Sequence, residues 1–285
     1  MKILYPLLAG SLLLVACQRQ PETKTLVAAA PATSESTVAA KPVAPVKTAP
    51  EGETLTSEML AFLKENDLAT LWQNDVESRR ENPTLQGFFG NDHYAIAFVF
   101  THVLRDDERP NVFHVQGKSR YKKRITPFDG LLTVTQIADL STYLDLDSVE
   151  EANARAYTVK ASFIFRQDST IKNAGVYRGT GLLDMYRTQA GKIDQCLIYG
   201  GEDNPTKGRG LQFEGEWVSN ATGQRKPLLL SNDVFAIAPM VLKNFGIGER
   251  GGEINPKYAK LGWVEIWEND EWWAEPGTAV AKAQP

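Results

Sequence analysis

Residues 94–100 read YAIAFVF, a run in which bulky side chains alternate with small or β-branched ones. Successive side chains of a β-strand point to opposite faces, so a period of two predicts a strand with one bulky, buried face. Turn-forming residues follow at 106–111, and the pattern returns at 112–117. Residues 94–117 are therefore predicted to form a β-hairpin.

The same pattern predicts further strands along the chain. They lie at residues 130–137, 157–165, 176–186, 196–199, 211–218, 227–231 and 263–267, with turns at 168–173 and 220–223. Residues 141–155 are predicted to be a helix or a long loop, and the apolar stretch 234–241 leaves its structure open. Strands that follow one another through short turns predict an antiparallel sheet.

The folded body begins with helix instead of strand. Thr56 stands before a stretch with apolar residues at 59, 60, 62 and 63, and a hydroxyl in this place caps the first turn of a helix. A second helical piece is predicted to start at Asn66-Asp67 and to continue through the apolar positions 68, 71 and 72 until Asn82-Pro83 ends it. We therefore expect an N-terminal helical segment ahead of the sheet.

An aromatic residue stands two places before a glycine three times in the predicted strands. The pairs are Phe128 and Gly130, Tyr177 and Gly179, and Phe213 and Gly215. Each aromatic side chain is expected to face inward, and the glycine then leaves the same face free for a sharp bend or a close approach of two strands. Such bending lets an antiparallel sheet close on itself. We predict a mainly β, antiparallel, barrel-like domain.

The run of long hairpins, with Gly215-Glu216-Trp217 among them, resembles the calycin architecture of lipocalins and avidins. Here the Gly-x-Trp sequence stands near the end of the folded body, whereas lipocalins carry it at the start of the barrel. The resemblance implies an interior that either holds an apolar ligand or is filled by side chains. The sequence leaves both alternatives open.

The first residues combine one cation, Lys2, with an apolar run at 3–15 and a cysteine directly after small residues. The order Leu14-Val15-Ala16-Cys17 resembles the signal and lipobox of bacterial lipoproteins. That resemblance implies cleavage after Ala16 and a diacylglyceryl group on Cys17. Gln18, which is not aspartate, favours the outer membrane over the inner membrane as the location.

Composition divides the chain into four parts. We predict a signal peptide at 1–16, a lipidated cysteine with a Pro-, Ala- and Thr-rich disordered tether at 17–52, a single β-rich domain at 53–275 and a disordered tail at 276–285. No later segment is apolar and long enough to span a membrane, so the acyl chains are the expected membrane contact. The net charge of −4 argues against nucleic acid as a partner.

Five cations lie within seven residues, and they form the first candidate site. Lys118, Arg120, Lys122, Lys123 and Arg124 are predicted to bind an anion such as a phosphate, a sulfated sugar or lipopolysaccharide. The alternative is a solvated connection between two strands whose charges protect exposed edges.

Aromatic residues form the second candidate site. A ligand in the interior or a stacked sugar would contact Phe98, Phe100, Phe163, Phe165, Tyr177, Trp217, Trp263 and Trp267. The alternative for Trp263 and Trp267 is a structural role, in which they fill the core or seal one end of the barrel. Trp272 and Trp273 follow nearby, and at least one of them is expected to be exposed.

Other reactive residues give weaker patterns. The predicted hairpin places His102 opposite or diagonal to His114, but no third ligand is identifiable, so no metal and no cofactor are expected. Cys196, the only cysteine besides Cys17, is predicted to be a buried apolar residue. No serine stands in a Gly-x-Ser-x-Gly elbow.

The sequence therefore favours a non-catalytic binding role for a lipid-anchored envelope protein. Its ligand would be an apolar small molecule in the barrel interior or an envelope partner on the surface. Two alternatives remain: an envelope glycan hydrolase with paired carboxylates, and a structural or adhesive surface module. Asp184, Asp194, Glu202, Asp203, Glu214 and Glu216 supply the carboxylates for the hydrolase.

Overall fold

The computed structural model describes most of the predicted folded body. The described residues are 55–76, 82–140, 154–196, 205–206, 208–243, 253–267 and 271–274, without the side chains of 235, 236, 266 and 267. The predictions for the signal peptide, Cys17 and the tether lie outside them, as do most of the residues predicted at 141–155.

Nine strands make up the sheet. They are β1 (Leu85–Phe89), β2 (Tyr94–Arg105), β3 (Val112–Tyr121), β4 (Arg124–Asp139), β5 (Arg155–Gln167), β6 (Gly175–Arg187), β7 (Ile193–Gln195), β8 (Leu211–Ser219) and β9 (Arg225–Ser231). Each predicted strand from 94 to 186, and those at 211–218 and 227–231, is confirmed. Of the strand predicted at 196–199 only Cys196 is described, and it directly follows the short β7; residues 197–199 lie outside the described residues.

The sheet is antiparallel throughout and closes in a ring. Each strand pairs with the next along the chain, except that β8 joins β6 beside the short β7. Closure comes from β1, which pairs with β9 from Gln86↔Ser231 to Phe89↔Leu228. Register shifts between Phe100 and His102 in β2, and between Val134 and Gln136 in β4, bend the long strands. The predicted mainly β, antiparallel, closed architecture is therefore present.

Glycines let two strands of the ring approach closely. Gly179 of β6 lies opposite Gly215 of β8. A Cβ on Gly179 would lie 2.1 Å from the Glu214 carbonyl oxygen, and one on Gly215 would lie 2.1 Å from the Arg178 carbonyl oxygen. No side chain fits at either position, so the close approach inferred from the aromatic-x-glycine pairs is confirmed.

Aromatic rings fill the middle of the ring-shaped sheet. Phe163 and Phe165 stack at 4.9 Å between centroids, and Phe165 stacks on Phe128 at 5.3 Å. Phe100 meets Phe213 edge to face at 5.4 Å. All five are at most 4% exposed. The middle of the ring is thus a packed core.

Two short helices cover one end of the ring. They are α1 (Ser57–Glu65) and α2 (Ala69–Gln73), and Thr56 caps α1 by accepting a hydrogen bond from the Met59 amide at 3.2 Å. Trp72 is fully buried and packs against Phe213 with 6.0 Å between ring centroids. The predicted N-terminal helical segment is confirmed. We call this end of the ring the helix end.

The other end of the ring carries four short hairpin turns. Because neighbouring strands run in opposite directions, the connections β1–β2, β3–β4, β5–β6 and β8–β9 all emerge on the same side. The β3–β4 turn contains only Lys122 and Lys123, both in the left-handed conformation with φ of 51° and 62°. We call this end the turn end.

The C-terminal segment packs on the outside of the sheet. It contains α3 (Val234–Ile237), α4 (Pro256–Ala259) and the 3₁₀ helices Pro239–Val241 and Trp263–Trp267. Trp263 is buried there against Phe88, with 5.0 Å between ring centroids, and donates a hydrogen bond to the His93 carbonyl oxygen at 2.9 Å. The strand predicted at 263–267 is therefore wrong. None of the helices in the described residues has the length and hydropathy of a membrane-spanning segment.

Candidate functional site

A cavity of about 410 Å³ opens at the turn end of the ring. Residues from β1, β3, β4, β5, β6, β8 and β9 line it, together with the β5–β6 and β8–β9 turns. The lining therefore comes from most of the sheet. We call this space the turn-end cavity.

Four aromatic side chains form one part of its lining: Phe89, Tyr121, Tyr177 and Trp217. Phe89 meets Tyr121 edge to face at 4.8 Å and Trp217 at 5.9 Å between centroids. Space for the indole of Trp217 exists because residue 175 is glycine: a Cβ on Gly175 would lie 2.3 Å from the indole nitrogen. The cavity wall thus offers flat apolar faces in fixed positions.

Gln167 holds this wall together through hydrogen bonds. Its Oε1 accepts from the Trp217 indole nitrogen at 3.1 Å and from the Gly175 amide at 2.9 Å. Its Nε2 donates to the Tyr177 hydroxyl at 3.2 Å, which in turn donates to Ser119 Oγ at 3.3 Å. Each of these side chains is at most 8% exposed. Buried polar groups that are satisfied in this way fix the geometry of a site.

Burial raises the pKa of the Tyr177 hydroxyl to about 12, although the hydrogen bond to Ser119 opposes the shift. The low polarity around the hydroxyl disfavours the phenolate. Tyr177 is therefore a neutral hydrogen-bonding group at physiological pH, and not a base.

Four cations line the same cavity: Lys122, Arg124, Lys172 and Lys226. The ammonium of Lys226 lies 5.2 Å from the ring centroid of Phe89, 5.7 Å from that of Tyr121 and 5.6 Å from that of Trp217. Aromatic faces attract a cation at such distances. The lining residues include no aspartate and no glutamate.

The predicted cationic patch is divided between the cavity and the outer face, because Lys118 and Arg120 belong to β3, whereas Lys122 lies in the following turn and Arg124 begins β4. Lys122 and Arg124 line the cavity, whereas Lys118 and Arg120 lie on the outer face. There Lys118 donates to the Trp273 carbonyl oxygen at 2.7 Å and the Arg120 guanidinium lies over Trp272 at 5.1 Å.

The fifth cation, Lys123, lies 3.3 Å from Glu265 and does not line the cavity. The sequence thus located two cavity cations, but it did not separate them from the three that face outward.

The predicted ligand-contacting aromatic residues are likewise divided. Tyr177 and Trp217 line the cavity. Phe98, Phe100, Phe163 and Phe165 belong to the packed core. Trp263 lies in the separate outer cluster, and the Trp267 side chain lies outside the described residues.

The remaining candidates have local roles. His102 and His114 are diagonal neighbours on the exposed outer face, since His102 pairs with Gln116 and Leu104 with His114. His114 Nε2 lies 2.9 Å from Asp106 Oδ2. In the part of the chain that the structure describes, no group of three or more metal-ligating side chains is arranged to hold an ion.

Cys196 is 2% exposed, and burial raises the pKa of its thiol to about 12, with the Asp184 charge adding to the shift. The prediction of a buried cysteine is confirmed, and a raised pKa makes the thiol a weak nucleophile.

The described carboxylates proposed for a hydrolase, Asp184, Asp194, Glu214 and Glu216, do not line the cavity. Glu216 pairs with Arg178 at 2.7 Å and with Arg225 at 3.4 Å. Asp184 is fully buried and accepts hydrogen bonds from the hydroxyls of Thr158 and Thr206, each at 2.7 Å. Glu202 and Asp203 lie outside the described residues.

A second, smaller hollow of about 30 Å³ lies between Tyr94, Arg120 and Glu265. Its volume is that of a site for bound water and too small for an organic ligand. The turn-end cavity is therefore the candidate functional site.

Sequence reasoning missed Gln167, Lys172 and Lys226. A signal for the two lysines was present, because strands that alternate in direction bring every second hairpin turn to one end. Lys172 lies in the predicted turn at 168–173, and Lys226 directly precedes the predicted strand at 227–231.

Comparison of the chain with protein-family models, with curated proteins and with solved structures finds no match.

Proposed function

We propose that this chain is a lipid-anchored protein of the bacterial cell envelope that binds a small ligand, without catalysis, in the turn-end cavity. The cavity itself is the observation that carries this proposal. Its volume of about 410 Å³ falls within the range of about 300–1,000 Å³ typical of small-molecule sites. Aromatic faces with a few fixed polar groups are the usual lining of such sites.

The packed core gives the ligand one place to bind. The two alternatives for the interior were a space for an apolar ligand and a core filled by side chains. Phe100, Phe163 and Phe165 fill the middle of the ring, so a ligand would enter only as far as Tyr177 and Gln167. The proposed ligand is accordingly held at the end of the ring, between the hairpin turns.

The cavity lining favours binding over glycan hydrolysis. Cleavage of a glycosidic bond by two carboxylates requires both to face one cleft. The cavity lining includes neither Asp nor Glu, while Glu216 is engaged by two arginines on the outer face. No described feature supports the hydrolase proposal.

The envelope location rests on Cys17 and the residues around it. Mass spectrometry of the native mature protein is expected to show a chain that begins at Cys17 and carries acyl chains. Cys17→Ser is expected to abolish the incorporation of labelled palmitate. A native protein with an unmodified Cys17 would refute the anchor and leave the cavity proposal untouched.

The binding proposal is tested with N-phenyl-1-naphthylamine, a neutral aromatic probe whose fluorescence rises in apolar surroundings. We use the mature chain, residues 17–285, with Cys17→Ser, so that detergent is unnecessary. The probe is expected to bind this protein with one site. Trp217→Ala should weaken binding at least tenfold, because it removes one of the cavity's flat faces.

The matched control is Trp272→Ala, which removes a tryptophan that packs beside Arg120 on the outer face. This variant should bind the probe like the parent protein. Equal binding by the Trp217→Ala and parent proteins, or no binding by either, would contradict the proposal of a ligand site at the turn end.

A further inference from the structure

The cations of the turn-end cavity have no counterion among the residues that the structure describes. Lys122, Arg124, Lys172 and Lys226 line the cavity, and within the described residues none of them makes an ion pair. Cations on the outer face near the same turns do have carboxylate partners. Lys123 pairs with Glu265, and Arg178 and Arg225 share Glu216. Four cations without an ion pair in the described residues therefore share one cavity, in a chain whose net charge is −4.

These cations come from separate parts of the chain. Lys122 and Arg124 belong to the β3–β4 hairpin, Lys172 to the β5–β6 turn and Lys226 to the start of β9. Ring closure is what brings them together. Lys226 is half-buried and the other three are exposed. Like charges around one cavity repel one another, so a partner of opposite charge would stabilise their assembly.

Lys226 carries this argument furthest. Its ammonium is half-buried, lies 5.2–5.7 Å from three ring centroids, and has no carboxylate among the other lining residues. The rings replace part of its hydration without neutralising its charge. An anion that arrives in the cavity would meet a partly desolvated cation in a fixed position, where charge-assisted hydrogen bonds are strong.

We propose that the ligand of the turn-end cavity carries an oxyanion group, that is, a carboxylate, sulfate, sulfonate or phosphate, attached to a flat apolar body. The oxyanion pairs with Lys226 and the cations of the neighbouring turns. The apolar body stacks against Trp217 and Tyr121. This inference rests on the proposed function, because it specifies the chemical class of ligand for the same cavity.

The test compares two probes that share one aromatic scaffold. 8-Anilinonaphthalene-1-sulfonate carries a sulfonate, and N-phenyl-1-naphthylamine does not. The mature chain with Cys17→Ser is expected to bind the sulfonate probe at least tenfold more tightly. Raising the salt concentration should lower the affinity for the sulfonate probe and leave the affinity for the neutral probe unchanged, since salt screens charges at an accessible site.

Variants then assign the charge to the cavity. The fourfold variant Lys122→Gln, Arg124→Gln, Lys172→Gln and Lys226→Gln should weaken binding of the sulfonate probe at least tenfold more than binding of the neutral probe, because only the sulfonate loses its cationic partners. The control variant combines Lys118→Gln and Lys123→Gln, which remove nearby outward-facing charges, and it should change neither affinity. Circular dichroism and the melting temperature verify that each variant is folded.

The two possible failures are distinct. If the neutral probe binds but the sulfonate probe gains nothing, or the fourfold variant keeps its affinity for the sulfonate, the oxyanion inference is wrong and the binding proposal stands. If neither probe binds, both proposals fall.

The source of the oxyanion is decided by competition against the bound sulfonate probe. Displacement by phosphatidylglycerol vesicles, and not by phosphatidylcholine vesicles, assigns it to a lipid head group. Displacement by 1-naphthoate alone assigns it to a soluble aromatic acid.

Discussion

The two ends of the ring are formed by different structural elements. At the turn end, three of the four hairpin turns contribute to the lining of a cavity of about 410 Å³. At the helix end, α1 and α2 cover the sheet, and the fully buried Trp72 extends the aromatic core. Arg105 adds a hydrogen bond from its guanidinium to the Leu63 carbonyl oxygen at 2.8 Å. One end of the same sheet is therefore sealed by a helical segment, and the other is left accessible.

Each end nevertheless depends on one buried glutamine. Gln195 donates to the Leu71 carbonyl oxygen at 3.0 Å and to Asn74 Oδ1 at 3.1 Å, and it accepts from Asn232 at 3.0 Å. Gln167 likewise uses both its oxygen and its nitrogen, on Trp217, Gly175 and Tyr177. At the helix end the amide fastens a helix to the sheet. At the turn end it fixes the side chains that border a cavity, as a binding site requires.

The largest difference between the ends is expected for their tryptophans. Trp72→Ala should lower the free energy of unfolding by about 3–5 kcal/mol, because it leaves a cavity in the sealed core. Trp217→Ala should cost less stability, because its side chain already borders a cavity. Urea denaturation of both variants measures this. An equal loss would show that the turn end is packed as tightly as the helix end.

The pH dependence of stability should carry one contribution from each end. Burial raises the pKa of Cys196, near the helix end, from about 9 to about 12, and that of Tyr177, at the turn end, from about 10 to about 12. Between these values the unfolded chain binds fewer protons than the folded chain. Stability should therefore fall as pH rises through this range, by about 1.4 kcal/mol per pH unit for each group. Below about pH 9 both groups are protonated in the folded and the unfolded chain, so their contribution to stability is complete and no longer changes with pH.

Cys196→Ala should flatten the fall from about pH 9 upward, and Tyr177→Phe only from about pH 10 upward. Urea denaturation from pH 8 to 12 separates the two windows. Variant curves that run parallel to that of the parent protein would contradict the assignment.

Removal of the two glutamines should have similar effects on stability and different effects on binding. Gln195→Leu and Gln167→Leu each leave buried partners without a hydrogen bond, which costs about 1–3 kcal/mol. Only Gln167→Leu should also weaken the binding of N-phenyl-1-naphthylamine, because it removes the hydrogen bond that holds the Trp217 indole in place. Binding that is equally weakened in both variants would mean that the ends are coupled through the core.

The smallest effect on stability is expected from the exposed cations at the turn end. Replacement of Lys122, Lys123 and Arg124 by glutamine should leave the melting temperature nearly unchanged, since exposed charges contribute about 0–1 kcal/mol each. Differential scanning calorimetry measures this. A large decrease would show that these cations hold the turn end together, and are not available for a ligand.

Much of the fold could be predicted from local patterns. Alternation at 94–100 located β2, and the hydroxyl of Thr56 marked the start of α1, because both signals lie within a few residues of sequence. The 3₁₀ helix Trp263–Trp267 was missed because its local pattern is that of a strand. Its tryptophans alternate with other residues as in a strand, and only the packing of Trp263 on Phe88 decides against one.

The site was less predictable, because its residues meet only after the ring closes. Trp217 and Lys226 lie on β8 and β9, whereas Phe89 lies on β1, more than a hundred residues earlier. The patch at 118–124 was visible as a cluster, but Lys118 faces outward from β3 whereas Lys122 lines the cavity from the following turn, and the place of that turn depends on how β3 and β4 pair. Gln167 gave no signal, because a single glutamine at the end of a strand is ordinary.

The pairing of β1 with β9 determines the stage of synthesis at which the ring can close. A ribosome releases β1 early and β9 almost last, and until then β1 and β8 each present an unpaired edge that another chain could join. A nascent polypeptide stalled before residue 225 is thus expected to need a chaperone. The seven residues of β9 supply the missing pairs once they have left the ribosome.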